Sequence, residues 1–251
     1  MDILDCLIDT EHRVLGAIRG CFPRSWDENY ITYQVLHELL AKRKFEFVTD
    51  RSYKVHWDAV KLKGRLETDN GDIAVLVKFT SWAGEETNGV AFYEAKRRYP
   101  LTQKFDMLKK PQLENIIDCT RYPNILLYDY ESTIGFHKHI FNYYDIIRYQ
   151  NAYRQFLETQ SLVVQPPVIL STNGKGTDLY KYALPFVHQL ICRNLQCLDL
   201  DTRDKVVGGI TRFFEDNGIG GPQYVLMVGV SQGSFDPTLP EIPGGYENFI
   251  G

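Results

Sequence analysis

Apolar positions recur along the chain with two periods. Ile3, Leu4, Leu7, Ile8, Val14, Leu15 and Ile18 fall at helical spacing, and the Cys21-Phe22-Pro23-Arg24-Ser25 stretch ends that helix. Ser25-Trp26-Asp27-Glu28 reads as a capping box that opens a second helix. That helix carries Ile31, Val35, Leu36, Leu39 and Leu40 on one face and runs into Lys42-Arg43-Lys44, which suits the negative pole of its dipole. The period then drops to two. Strands are expected over residues 45–55 and 57–66, with Val60 and Leu62 inward. After an Asp69-Asn70-Gly71 turn, strands follow over 72–79 and 90–98, separated by a polar loop at 81–89. A helix is expected over 103–119, kinked or divided by Pro111, and then a buried strand over 123–130. Further on, 141–157 reads as a Tyr-rich helix, 166–170 as a strand or linker, 184–192 and 201–214 as helices, 224–230 as a buried strand, and 234–251 as an extended tail.

Two of these strands carry acid where a strand normally would not. Asp72 opens an apolar run. In the later strand Val90, Phe92, Glu94 and Lys96 share one face, while Ala91, Tyr93 and Ala95 share the other. A carboxylate and an ammonium therefore stand side by side at the end of a strand that reads as buried. Burying them costs several kcal/mol unless something else, such as a metal ion, uses the pair. A strand-end ion pair is the plainer reading of Glu-x-Lys. The short polar connection, the Asp heading the preceding strand and the following Lys- and Gln-containing helix add weight to a metal site.

With those residues in view, the stretch resembles the PD-(D/E)xK nuclease superfamily over roughly residues 28–130. Asp72 takes the place of the motif's Asp, Glu94-Ala95-Lys96 that of Glu-x-Lys, and Gly71 stands where the motif has Pro. The order of helix, three strands, helix and strand also matches. The resemblance implies an α/β fold with a restriction-endonuclease-like core, a mixed central sheet flanked by helices. The whole chain would form a single nuclease domain. Its core would span about 25–131, with a C-terminal elaboration over about 132–233 and a tail over 234–251. It further implies Mg²⁺, with Mn²⁺ able to substitute, held by Asp72, Glu94, the Ala95 carbonyl and a Glu of the first core helix. Glu28 is the first choice for that Glu and Glu38 the second. Lys96 would orient water or offset charge at the attacked phosphorus. Gln112 corresponds to a Gln that several branches carry on the next helix. The plainer readings are a helix-start residue for Glu28 and a surface residue for Gln112.

Charge sharpens the picture. The net charge is −4, yet residues 39–110 hold 15 Lys and Arg against 10 Asp and Glu, leaving the rest of the chain acidic. The basic block contains the candidate site and suits phosphate contacts or, equally, a solvated face. The five scattered cysteines form no Cys-x-x-Cys, and no run approaches the ~20 apolar residues of a membrane span. No signal peptide is visible at the start, so a reduced, cytoplasmic protein is expected. Gly174-Lys175 lacks phosphate-loop spacing, and His137-Lys138-His139 lacks a third ligand. The resemblance, joined by the basic block, implies metal-dependent hydrolysis of DNA, and by analogy with the family an endonuclease effector of bacterial anti-phage defence. Aromatic bulk in 141–157 points to a homo-oligomer or a partner defence protein. The alternatives are a catalytically silent nucleic-acid-binding or assembly module on the same fold, or an RNA-cleaving enzyme.

Overall fold

The computed structural model describes residues 1–62, 72–105, 108–134, 158–211, 221–242 and 244–249. The elements run α1 (Ile3–Cys21), α2 (Glu28–Leu40), β1 (Lys44–Val48), β2 (Ser52–Leu62), β3 (Ile73–Thr80), β4 (Glu86–Arg97), α3 (Lys110–Cys119), β5 (Pro123–Ile134), β6 (Glu158–Val164), α4 (Pro166–Thr172), β7 (Leu184–Pro185), α5 (Phe186–His188), α6 (Asp204–Thr211), β8 (Tyr224–Gln232) and β9 (Tyr246–Asn248). The expected turn at 69–71, the His137 and His139 pair and the Tyr-rich stretch 141–157 lie outside the described residues.

The fold is α/β, with a mixed, open sheet ordered β1-β2-β8-β3-β4-β5-β6-β7 and β9 added beside β2. The β3–β8 and β4–β5 pairs are parallel, and the other pairs are antiparallel. Strand β8, from the second half of the sequence, lies in the middle of the sheet between β2 and β3. All nine of its residues are buried, as a strand covered on both faces requires. Gly229 lets it sit there: a Cβ at that position would stand 2.4 Å from the Thr238 carbonyl oxygen of the tail crossing above it.

Alternation along β4 divides the core. Ala91, Tyr93 and Ala95 join the cluster under α1 and α2 with Leu7, Ile18, Val35 and Leu39. Val90 and Phe92 face the opposite cluster with Ala74, Leu76 and Ile210. On that same opposite side, Ile125 and Leu127 of β5 pack with Leu113 and Ile116 of α3. The Trp57 indole, fully buried, donates to the carbonyls of Leu39 and Lys42 at 3.0 Å each. It thereby satisfies carbonyl groups that the end of α2 leaves without helical partners.

Several expected elements differ from those observed. Residues 45–55 form no single strand: the chain turns at Thr49-Asp50-Arg51, where the Thr49 N–H reaches the Arg51 carbonyl, so β1 and β2 make a hairpin. Asp27, not Ser25, caps α2, its carboxylate accepting from the Asn29 and Tyr30 N–H groups. Pro111 neither kinks nor divides a helix. It sits in the first turn of α3, where its missing N–H costs nothing. Pro166 and Pro167 likewise open helix α4 rather than a strand or linker. The expected polar loop at 81–89 shrinks to a tight turn, because β4 already begins at Glu86. Residues 184–192 begin as the short strand β7 before turning helical.

Candidate metal and phosphodiester site

Asp72 stands just ahead of β3. Its N–H donates to the Tyr93 carbonyl at 3.0 Å, and its own carbonyl accepts from the Tyr224 N–H at 3.0 Å. The backbone is thus held between β4 and β8, and the carboxylate leans toward β4. Asp72 Oδ2 accepts the Ala95 N–H at 2.7 Å. On β4, Lys96 Nζ donates to Glu94 Oε1 at 2.5 Å, and Gln112 Nε2 from the first turn of α3 donates to the same oxygen at 2.5 Å. Glu28, the first residue of α2, closes the group from the other side. Its Oε1 accepts the Arg97 N–H at 3.4 Å, and its Oε2 lies 3.7 Å from Lys96 Nζ. Side chains named from the sequence on four separate segments therefore converge. Glu94 and Lys96 are buried, while Asp72 and Glu28 keep partial access to solvent.

Glu38 does not join them. It lies near the far end of α2, ten residues or about 15 Å of helix from Glu28, with its Oε1 3.8 Å from His37 Nδ1. Glu86, at the start of β4, also lies outside the group and pairs with Lys78 at 3.1 Å.

The electrostatics follow from the packing. Burial, reinforced by the charge of Glu94, pushes the Asp72 carboxyl up to about 7. Burial also raises Glu28, opposed by Lys96 and the Arg97 N–H. Burial alone would lower the Lys96 pKa, but Glu94, Glu28 and Asp72 outweigh it and raise it. Lys96 is therefore a fixed cation facing three carboxylates, and two negative charges stay uncompensated when all are ionised.

These donors suit a hard divalent ion in kind, all being carboxylate oxygens in a negative pocket. Their arrangement is a second matter. Among the described residues no group of three or more His, Cys, Asp or Glu is placed to hold a metal ion. The reason is visible: the Lys96 ammonium lies between Glu94 and Glu28, and Asp72 Oδ2 is engaged by the Ala95 N–H.

Comparison of the chain with models of known protein families, with curated proteins and with solved structures finds no match. The site has to be read from its own chemistry.

One supporting group escaped the sequence reading. Arg98 Nη1 pairs with Asp129 at 3.0 Å and with Glu131 at 2.9 Å, and the Tyr180 hydroxyl donates to Asp129. The Trp26 indole donates to the Arg98 carbonyl at 2.8 Å. This network pins the end of β4 two residues beyond Lys96. The signal was available: Asp129 interrupts an otherwise apolar strand, as Glu94 does.

Proposed function

We propose that this chain is a metal-dependent nuclease that hydrolyses phosphodiester bonds of DNA, with Mg²⁺ as the natural ion and Mn²⁺ as a substitute. The observation that carries the proposal is the meeting of Glu28, Asp72, Glu94, Lys96 and Gln112 at one end of β4. Spacing alone does not bring a helix-start Glu and a Gln 84 residues later to the same lysine–glutamate pair. In this reading α2, the strands β2 to β4, α3 and β5 form a restriction-endonuclease-like core into which β8 is inserted.

Asp72, Glu94 and Glu28, with the Ala95 carbonyl, would hold the ion. Bound there, Mg²⁺ supplies Lewis acidity toward a phosphoryl oxygen and toward water. The chain's own contribution is orientation and charge. Gln112 fixes the Glu94 carboxylate through one oxygen. Lys96, kept protonated by its neighbours, donates toward the attacking water or toward charge building on the phosphoryl oxygens. The Arg98–Asp129 network holds the strand end so that these groups stay in register. The basic character of residues 39–110 suits a polyanionic substrate. A role in bacterial anti-phage defence, in a homo-oligomer or with a partner protein, completes the proposal and rests on the resemblance alone.

A second reading is favoured by the 2.5 Å Lys96–Glu94 contact: a silent nucleic-acid-binding or assembly module in which that ion pair only closes a strand end. Plasmid DNA incubated with Mg²⁺, with and without EDTA, decides between them. The nuclease nicks or linearises the plasmid and stops in EDTA. The silent module leaves it supercoiled in both.

A further inference from the structure

We infer that the cleft between the 99–104 loop and the 172–178 loop is a second phosphate subsite, occupied by nucleic-acid backbone flanking the scissile bond. The inference rests on the nuclease reading and adds a surface that the resemblance does not supply. The cleft measures about 600 Å³ and is lined by Arg98, Gln103, Lys104, Asn173, Lys175 and Thr177, among others. Its two walls touch: the Phe105 N–H donates to the Lys175 carbonyl at 2.7 Å.

Both walls are braced. The Tyr99 N–H reaches the Lys104 carbonyl at 2.9 Å, the Gln103 N–H reaches the Tyr99 carbonyl at 2.8 Å, and Gln103 Nε2 reaches the Pro100 carbonyl at 2.6 Å. Opposite, the Gly174 N–H donates to Thr172 Oγ1 at 3.3 Å and the Gly176 N–H to Asp178 Oδ1 at 3.0 Å. Ordered walls lower the entropy lost on binding.

The lining of the cleft carries three cations, Arg98, Lys104 and Lys175, against one carboxylate, Asp178. The Arg98 guanidinium is already held by Asp129, Glu131 and Gln103, and Asp178 keeps its charge while it accepts the Gly176 N–H. Lys104 and Lys175 are exposed and make no ion pair among the described residues. Two free ammonium groups beside hydroxyl and amide groups favour a phosphate.

Position and shape select a polymer over a free anion. Arg98 shares the face of Glu94 and Lys96 and lies two residues beyond Lys96, about 7 Å along an extended strand. A nucleic-acid backbone engaged at Lys96 would therefore reach the edge of the cleft within one or two nucleotides, given an axial rise of about 3.4 Å per phosphate on one strand. Leu101, at the tip of the braced loop, is 99% exposed. An apolar side chain held out beside a phosphate site suits sugar or base contact.

The test is binding of a labelled 25-base-pair duplex in EDTA over a series of salt concentrations. The proteins are wild type, the Lys104→Ala/Lys175→Ala double variant, and Lys61→Ala, which removes a lysine paired with Glu247. Both cleft lysines are exposed, so the fold is not at stake. The double variant should bind about tenfold more weakly at low salt. Its slope of log affinity against log salt should fall by about 2, one ~0.9 step per lost phosphate contact, while Lys61→Ala keeps the wild-type slope. Equal affinity and slope in wild type and the double variant overturns the inference alone. So does the absence of duplex binding by a wild type that still cuts plasmid. A wild type that neither binds nor cuts any nucleic acid overturns the nuclease reading, and this inference with it.

Discussion

Lys96 Nζ lies 3.7 Å from Glu28 Oε2, although 68 residues separate them in sequence and one sits on a strand, the other at the start of a helix. The contact makes the first turn of α2 part of the site. Glu28→Gln keeps the shape and deletes the charge. It should weaken Mg²⁺ binding and slow cleavage by about 10- to 100-fold, less than the loss of Asp72 or Glu94, because Glu28 reaches the ion's place from the far side of Lys96 and the other oxygens remain. Wild-type rate and affinity in this variant would return Glu28 to the role of a helix-start residue.

Glu11 gives the pH dependence of stability a cause outside the site. It is 1% exposed, its Oε1 has no hydrogen-bond partner among the described residues, and burial pushes its carboxyl up to about 8 from the ordinary 4.5. The folded state holds this proton more tightly than the unfolded chain does. The resulting stability is fully present below about pH 4.5 and is lost as pH rises through about 8. Glu11→Gln should therefore leave stability near pH 4 almost unchanged and raise it at pH 8.5 by on the order of 4 kcal/mol. Urea unfolding at the two pH values measures the difference, and equal gains at both would contradict it.

Two glycines predict opposite signs. Gly229→Ala would press a Cβ against Thr238 backbone atoms at 2.4 and 2.7 Å, and backbone has no loose end to move aside. A loss of about 1–3 kcal/mol is expected, together with faster proteolysis of the tail. Gly16, within α1, has nothing within 4 Å of an added Cβ. Gly16→Ala should stabilise by about 0.5–1 kcal/mol through helix propensity. Thermal melts of both variants check the pair.

The sequence made the local pattern legible and left the order of strands hidden. Helical spacing in Ile31, Val35, Leu36 and Leu39, and alternation from Val90 to Lys96, report which faces are buried, because each is set within one element. Glu94, Lys96, Asp72, Glu28 and Gln112 could be grouped because charged or amide residues near apolar runs stand out and their order fits a known pattern. The insertion of β8 between β2 and β3 was not readable: Tyr224–Gln232 announces burial on both faces but not its neighbours. Pro111 and Pro166 misled for a common reason. Proline interrupts a helix interior but suits its first turn, and spacing alone did not place the start. The Arg98–Asp129 pair was missed because Arg98 reads as one more cation in Lys96-Arg97-Arg98 until a partner is seen across the sheet.

The most direct measurement sets cleavage rate beside Mg²⁺ affinity by calorimetry for wild type, Asp72→Asn, Glu94→Gln and Lys96→Ala. Removing a carboxylate deletes an ion ligand, so Asp72→Asn and Glu94→Gln should lose both cleavage and metal binding. Lys96→Ala deletes a cation from among three carboxylates. It should bind Mg²⁺ at least as tightly as wild type, since a like charge has gone, while its rate falls by about 10²–10³. Cleavage at the wild-type rate by Lys96→Ala, or unchanged rate and affinity in Asp72→Asn, would contradict the account and leave Glu94 and Lys96 as an ion pair closing the end of a strand.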